Sequence, residues 1–106
     1  MKESEFQSKL IKELEQRFPG CLVLKTDPGY LQGMPDLLIL YENTWAALEC
    51  KKEKKAARRP NQEYYVDILN KLSFSRFIYP ENKEEVLNDL QRTFESRWSA
   101  RVPRSE

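Results

Sequence analysis

Apolar positions recur along the chain at two different periods, and each change of period marks a new element. Over residues 3–18, Phe6, Leu10, Ile11, Leu14 and Phe18 keep the spacing of one helical stripe, and Pro19-Gly20 ends it. Residues 21–25 (CLVLK) then read as a short strand. Residues 26–35 (TDPGYLQGMP) hold two of the three glycines and two prolines, so they form a loop. Residues 36–41 (DLLILY) read as an apolar strand and residues 44–51 (TWAALECK) as its return. Glu42-Asn43 is the two-residue turn between them, with Asn tolerating a left-handed conformation. Helical spacing resumes over 61–72, with Tyr65, Ile68, Leu69 and Leu72 on one side and Pro60 near the first turn. A fourth strand over 74–79, closed by Pro80, and a last helix over 82–98 carrying Val86, Leu87, Leu90 and Phe94 complete the pattern. The order α-β-β-β-α-β-α predicts an α/β fold, a mixed central sheet flanked by helices. Residues 1–98 form one domain and 99–106 a flexible tail.

Composition narrows the chemistry. The 106 residues contain no histidine, which excludes Ser-His-Asp and Cys-His catalysis, a histidine general base and histidine metal ligands. Cys21 and Cys50 read as small core residues rather than a disulfide, and alone they cannot complete a zinc site. No apolar run approaches a membrane span, and MKESEF is not followed by a signal-peptide core, so a cytoplasmic protein is expected. The net charge is +1, yet between Lys51 and Arg59 six cations face one acid, Glu53. That local charge of +5 either attracts a polyanion or is a solvated loop.

Two carboxylates stand out among apolar strand residues. If Tyr41 pairs with Thr44 across the turn, the same register sets Asp36 opposite Glu49. Residues so placed have β-carbons about 4.5–5.5 Å apart, and like charges there repel. A divalent cation would remove the repulsion, and hard oxygen ligands suit Mg²⁺ or Mn²⁺. Lys51 shares the face of Glu49, where it can orient a water or steady an anion, and the Cys50 carbonyl is a further ligand candidate. The same residues also fit the frayed end of a hairpin, and a one-residue slip breaks the pairing. On the first helix, Glu3 falls within the apolar stripe and Glu5 on the opposite side. Glu3 is therefore either aimed at the sheet or a simple negative charge at a helix start.

These residues form a pattern. Gly33-Met34-Pro35-Asp36, Glu49-Cys50-Lys51, a basic run and Pro60-Asn61-Gln62, preceded by Glu3, Phe6 and Leu10, resemble the PD-(D/E)XK nucleases. The context is similar to the VRR-NUC branch of small phage-type endonucleases over about residues 3–90. The resemblance implies a restriction-endonuclease-like core and a virus-encoded, Mg²⁺-dependent DNA endonuclease in which Mn²⁺ substitutes and no organic cofactor takes part. It implies that Asp36, Glu49, the Cys50 carbonyl and Glu3 hold metal, that Lys51 activates water, and that Gln62 orients Lys51 or a phosphate. The position four residues after the Gln, a Tyr in some relatives, is Val66 here, so no role passes to Tyr64 or Tyr65. Lys52, Lys54, Lys55, Arg58 and Arg59 would grip the phosphate backbone, with Lys25, Tyr30 and Arg76 as further cleft candidates. Gly29 and Gly33 would let the loop before Asp36 approach DNA closely. A chain this short favours reading a junction, flap or nick over reading sequence. A homodimer, through Trp45, Trp98 or the last helix, would pair two sites on a symmetric substrate. The alternatives are a nuclease-fold module that binds nucleic acid without cutting, and an exonuclease or RNA nuclease with the same site.

Overall fold

The computed structural model describes the backbone of residues 2–101 and the side chains of residues 2–97. Seven elements follow in the expected order: α1 (Glu3–Arg17), β1 (Leu22–Lys25), β2 (Leu37–Tyr41), β3 (Thr44–Cys50), α2 (Pro60–Leu72), β4 (Ser75–Ile78) and α3 (Lys83–Arg101). The last helix runs three residues past its expected end at 98. The rest of the expected tail, and the Trp98 side chain offered as a dimer surface, lie outside the described residues.

The strands form one sheet in the order β1-β2-β3-β4. β2 runs antiparallel to both β1 and β3, while β3 and β4 are parallel, so the sheet is mixed. Parallel neighbours need a crossover, and α2 supplies it. Tyr41 pairs with Thr44 and Leu37 with Leu48, which is the register expected from the turn. The left-handed turn residue is Glu42, at φ +53°, rather than Asn43.

Strand alternation divides the chain between two layers. Leu37, Ile39, Ala46, Leu48, Cys50 and Ile78 join Phe6, Leu10, Leu14 and Phe18 of α1 and Val86, Leu87, Leu90 and Phe94 of α3 in one buried core. Phe18, Tyr41 and Phe94 close it as a cluster with ring centroids 5.2–5.5 Å apart. The opposite face is covered by α2 over β3 and β4. Leu22, Leu24 and Leu40, on that same face, remain 61%, 46% and 36% exposed, and α2 itself has no fully buried residue. Cys50 is buried, Cys21 is half-buried, and both thiols are free. No helix among the described residues is long and apolar enough to cross a membrane.

Candidate metal and phosphate site

The site lies where β2 begins and β3 ends. One step beyond the last ladder pair, Leu37 with Leu48, the register sets Asp36 against Glu49. Asp36 Oδ2 accepts the Cys50 backbone N–H at 2.9 Å. A side chain thus replaces the strand where the ladder ends. The next residue across from Cys50 is Pro35, which has no N–H to offer. The Cys50 carbonyl therefore gains no ladder bond from that position. The start of β2 is pinned by Thr26, whose N–H donates to the Asp36 carbonyl at 2.9 Å and whose hydroxyl donates to that of Pro35 at 2.7 Å.

Gln62 ties the lysine to the glutamate. It sits at the third position of α2, where its Oε1 accepts the Arg59 N–H at 3.1 Å and so satisfies one donor at the helix start. The same oxygen accepts Lys51 Nζ at 2.9 Å, and Nε2 donates to Glu49 Oε2 at 3.1 Å. An ammonium requires an acceptor and a carboxylate a donor, so the two bonds fix the amide orientation. Lys51 Nζ also stands 3.8 Å from Glu49 Oε2. Glu49 is 3% exposed and its Oε1 is buried with no hydrogen-bond partner.

Electrostatics follow from that burial. Loss of water, then the charge of Asp36, pushes the Glu49 carboxyl up to about 8 against a smaller opposing pull from Lys51. Asp36 is raised as well, by burial first, with the Cys50 N–H and Lys51 pulling it down. Burial and the surrounding carboxylates hold the Cys50 thiol protonated, so it is no nucleophile. Gln7 of α1, which the sequence did not single out, lies beside that thiol.

The other expected residues distribute unevenly. Glu3 is exposed, and although its charge reaches Glu49 and Cys50, it stands outside the close pair. Among the described residues no group of three or more Asp, Glu, Cys or His side chains could hold an ion. Asp36, Glu49 and Gln62 line an open cleft of about 470 Å³, together with Gln32, Met34 and Arg59. Of the five basic residues expected at the site, Arg59 lines this cleft. Arg58 instead lies 4.1 Å over the Phe77 ring, and Lys52, Lys54 and Lys55 are exposed on the intervening loop. The loop is anchored by the Lys54 N–H to Glu81 Oε2 at 3.3 Å.

One expectation gains a second reason here and another is corrected. Gly33, at φ +90°, faces α2 rather than open space: a β-carbon there would stand 2.6 Å from Asn61 Cβ and 2.9 Å from its carbonyl carbon. Its lack of a side chain serves packing within the chain, at a place that also lines the cleft. Arg76 lies outside the carboxylate cleft, on β4, over the Phe74 ring at 4.2 Å.

The fit of a divalent cation can be judged from the donors. A buried carboxylate oxygen without a partner, a second carboxylate directly opposed to it and a nearby carbonyl form a hard oxygen set. Mg²⁺ is commonly held by one or two carboxylates, with waters and phosphate oxygens filling the remaining positions. The pair Asp36 and Glu49 suits that arrangement without a third carboxylate. No family model, curated protein or solved structure matches this chain.

Proposed function

We propose that the chain is a metal-dependent DNA endonuclease of the restriction-endonuclease-like type, hydrolysing phosphodiester bonds with Mg²⁺ or Mn²⁺. The observation that carries this reading is the pairing of half-buried Asp36 with buried Glu49, with Lys51 fixed beside them by Gln62. Two opposed acids withdrawn from water, one with an oxygen left unpartnered, are costly, and a cation would offset the cost. The resemblance of Pro35-Asp36 and Glu49-Cys50-Lys51 to the PD-(D/E)XK pattern supports the same reading.

The residues take distinct parts. A divalent cation, when bound, supplies positive charge to the phosphate and acidifies a water. Asp36 and Glu49 would hold it, with the Cys50 carbonyl as the further ligand the resemblance implies. Lys51 spends one of its three donors on Gln62 and keeps the others to orient the attacking water or meet the developing anion. Gln62 is a positioning residue, since it fixes Lys51 and Glu49 in one geometry. Arg59 at the cleft mouth meets the phosphate backbone without reading bases. The open cleft and the small domain favour substrates distinguished by shape, such as junctions, flaps or nicks.

The test is a cleavage panel with labelled duplex, single-stranded, flap and four-way-junction DNA and a matched RNA, in Mg²⁺, Mn²⁺ or EDTA, for wild type and Lys51→Ala. Metal-dependent internal cuts that Lys51→Ala abolishes are expected, with junction or flap cut faster than duplex. Binding without any cutting would make the chain a non-catalytic module, and release of single nucleotides from ends would make it an exonuclease.

A further inference from the structure

Beyond the carboxylate cleft, a line of arginines runs down the β4 side of the molecule. β4 is the edge of the sheet. Arg58 lies over Phe77, and Arg76 over Phe74, each guanidinium a little over 4 Å from the ring centroid. Rings that hold guanidinium groups flat preorganise their donors at little entropic cost. Arg76 is further held by the Asn70 side chain and by the Ser75 carbonyl at 2.9 Å. Past Arg76 opens a second hollow, lined by Arg76, Arg92, Arg97, Thr93, Ser96 and Asp89. Arg97 is steadied by the Ser73 carbonyl at 2.9 Å and by Thr44 Oγ1 at 3.2 Å, all neutral acceptors, so its charge stays uncompensated.

The acids nearby cancel this line only in part. Asp89 offsets one member of it, Arg92, which leaves Arg58, Arg76 and Arg97 to carry its net charge, while Asp67 is paired with Lys71 at 3.2 Å. Glu63 is the remaining carboxylate beside Arg58 and Arg76. Arg58, Arg76 and Arg97 have no carboxylate partner among the described residues. Three guanidinium groups and two hydroxyls around an open hollow are the donors that phosphate oxygens take, and guanidinium forks match them geometrically.

We propose that the β4 edge is a phosphate track: Arg58, Arg76, Arg92 and Arg97 carry the backbone of a DNA duplex arm away from the Asp36–Glu49 cleft. The juxtaposition is that Arg59 lines the cleft, its neighbour Arg58 starts the track, and Arg76 belongs to both hollows beyond it. Arg97 meets Thr44 at the far end of β3, five residues from Glu49, or about 17 Å along the strand. That is roughly five base pairs of duplex at 3.4 Å each. The track rests on the reading of the substrate as DNA, and it adds the side of the protein on which one arm lies.

Binding measured without cleavage separates the two. In EDTA, anisotropy of a labelled duplex of about 20 base pairs is followed against salt for wild type, Arg76→Gln, Arg92→Gln and the double variant. Arg92 is exposed, so its replacement leaves the core untouched, and thermal melts check that Arg76→Gln still folds. Each lost phosphate contact should lower the slope of log K against log salt by about 0.9, and the double variant by about 1.8. Wild-type slopes in both folded single variants would overturn the track while leaving metal-dependent cleavage standing. Slope losses in a protein that cuts nothing would keep the track and remove the nuclease. Failure of the wild type to bind duplex at low salt would overturn the track outright.

Discussion

Glu49 keeps one carboxylate oxygen on the Gln62 amide and the other without a partner, in a place largely closed to water. Its acidity is therefore set by its surroundings, and pH reports on it. Without metal, the folded chain keeps a proton that an unfolded Glu releases near 4.5, up to about 8. Between those values the folded state binds more protons than the unfolded one, so stability falls as pH rises through the window and levels off above it. Urea unfolding in EDTA across this range checks the sign, and Glu49→Gln should flatten the curve. A cation competes with that same proton, so Mn²⁺ affinity by calorimetry should rise with pH. The limit is about tenfold per unit for each proton displaced, levelling above the raised pKa. A second residue-scale test is Gly33→Ala. It combines a positive φ with overlap against the Asn61 backbone and should cost about 1–3 kcal/mol in denaturant unfolding.

The hairpin of β2 and β3 was the most legible element. Its alternation and its two-residue turn specify a register, and the register alone sets Asp36 against Glu49 and Lys51 on the face of Glu49. The choice of turn residue was not legible. Glu42 and Asn43 are both central, and local preference favoured Asn, whereas the structure puts the left-handed φ on Glu42. Tyr65, Ile68 and Leu69 of the α2 stripe were readable, but Leu72, expected with them, is 70% exposed, because the helix covers β3 and β4 and leaves the β1 side open. The packing role of Gly33 was not legible because its neighbour, Asn61, is distant in sequence and no local pattern records a tertiary approach. Arg76 was misplaced for a similar reason: whether a strand lies at the edge depends on strand order, which spacing does not reveal. The third element-scale feature is α3, joined to α1 through Phe94, Phe18 and Tyr41. Phe94→Ala should cost about 3–5 kcal/mol in thermal or denaturant unfolding. A loss below about 1 kcal/mol would show that α3 is not part of the cooperative core.

At the scale of the whole molecule, the sheet order explains where charge and chemistry meet. β3 is central, so its C-terminal end is buried enough to raise two carboxyl groups, while the chain leaving it is exposed and basic. The parallel crossover then brings the start of α2 back over the same strand end, which delivers Gln62 to Lys51 and Glu49 and Arg59 to the cleft. A net charge of +1 conceals this layout, in which an acidic centre is bordered by guanidinium and ammonium groups. On the proposed reading, metal and phosphate together would satisfy both. The most direct measurement of this account is Mg²⁺-dependent strand scission by wild type and by Asp36→Asn. The asparagine carbonyl can still accept the Cys50 N–H, so the fold is kept while the charge is lost. The account predicts cutting in Mg²⁺, none in EDTA, and a rate lower by at least about 100-fold in the folded variant. Scission at the wild-type rate in Asp36→Asn, or undiminished cutting in EDTA, would contradict it.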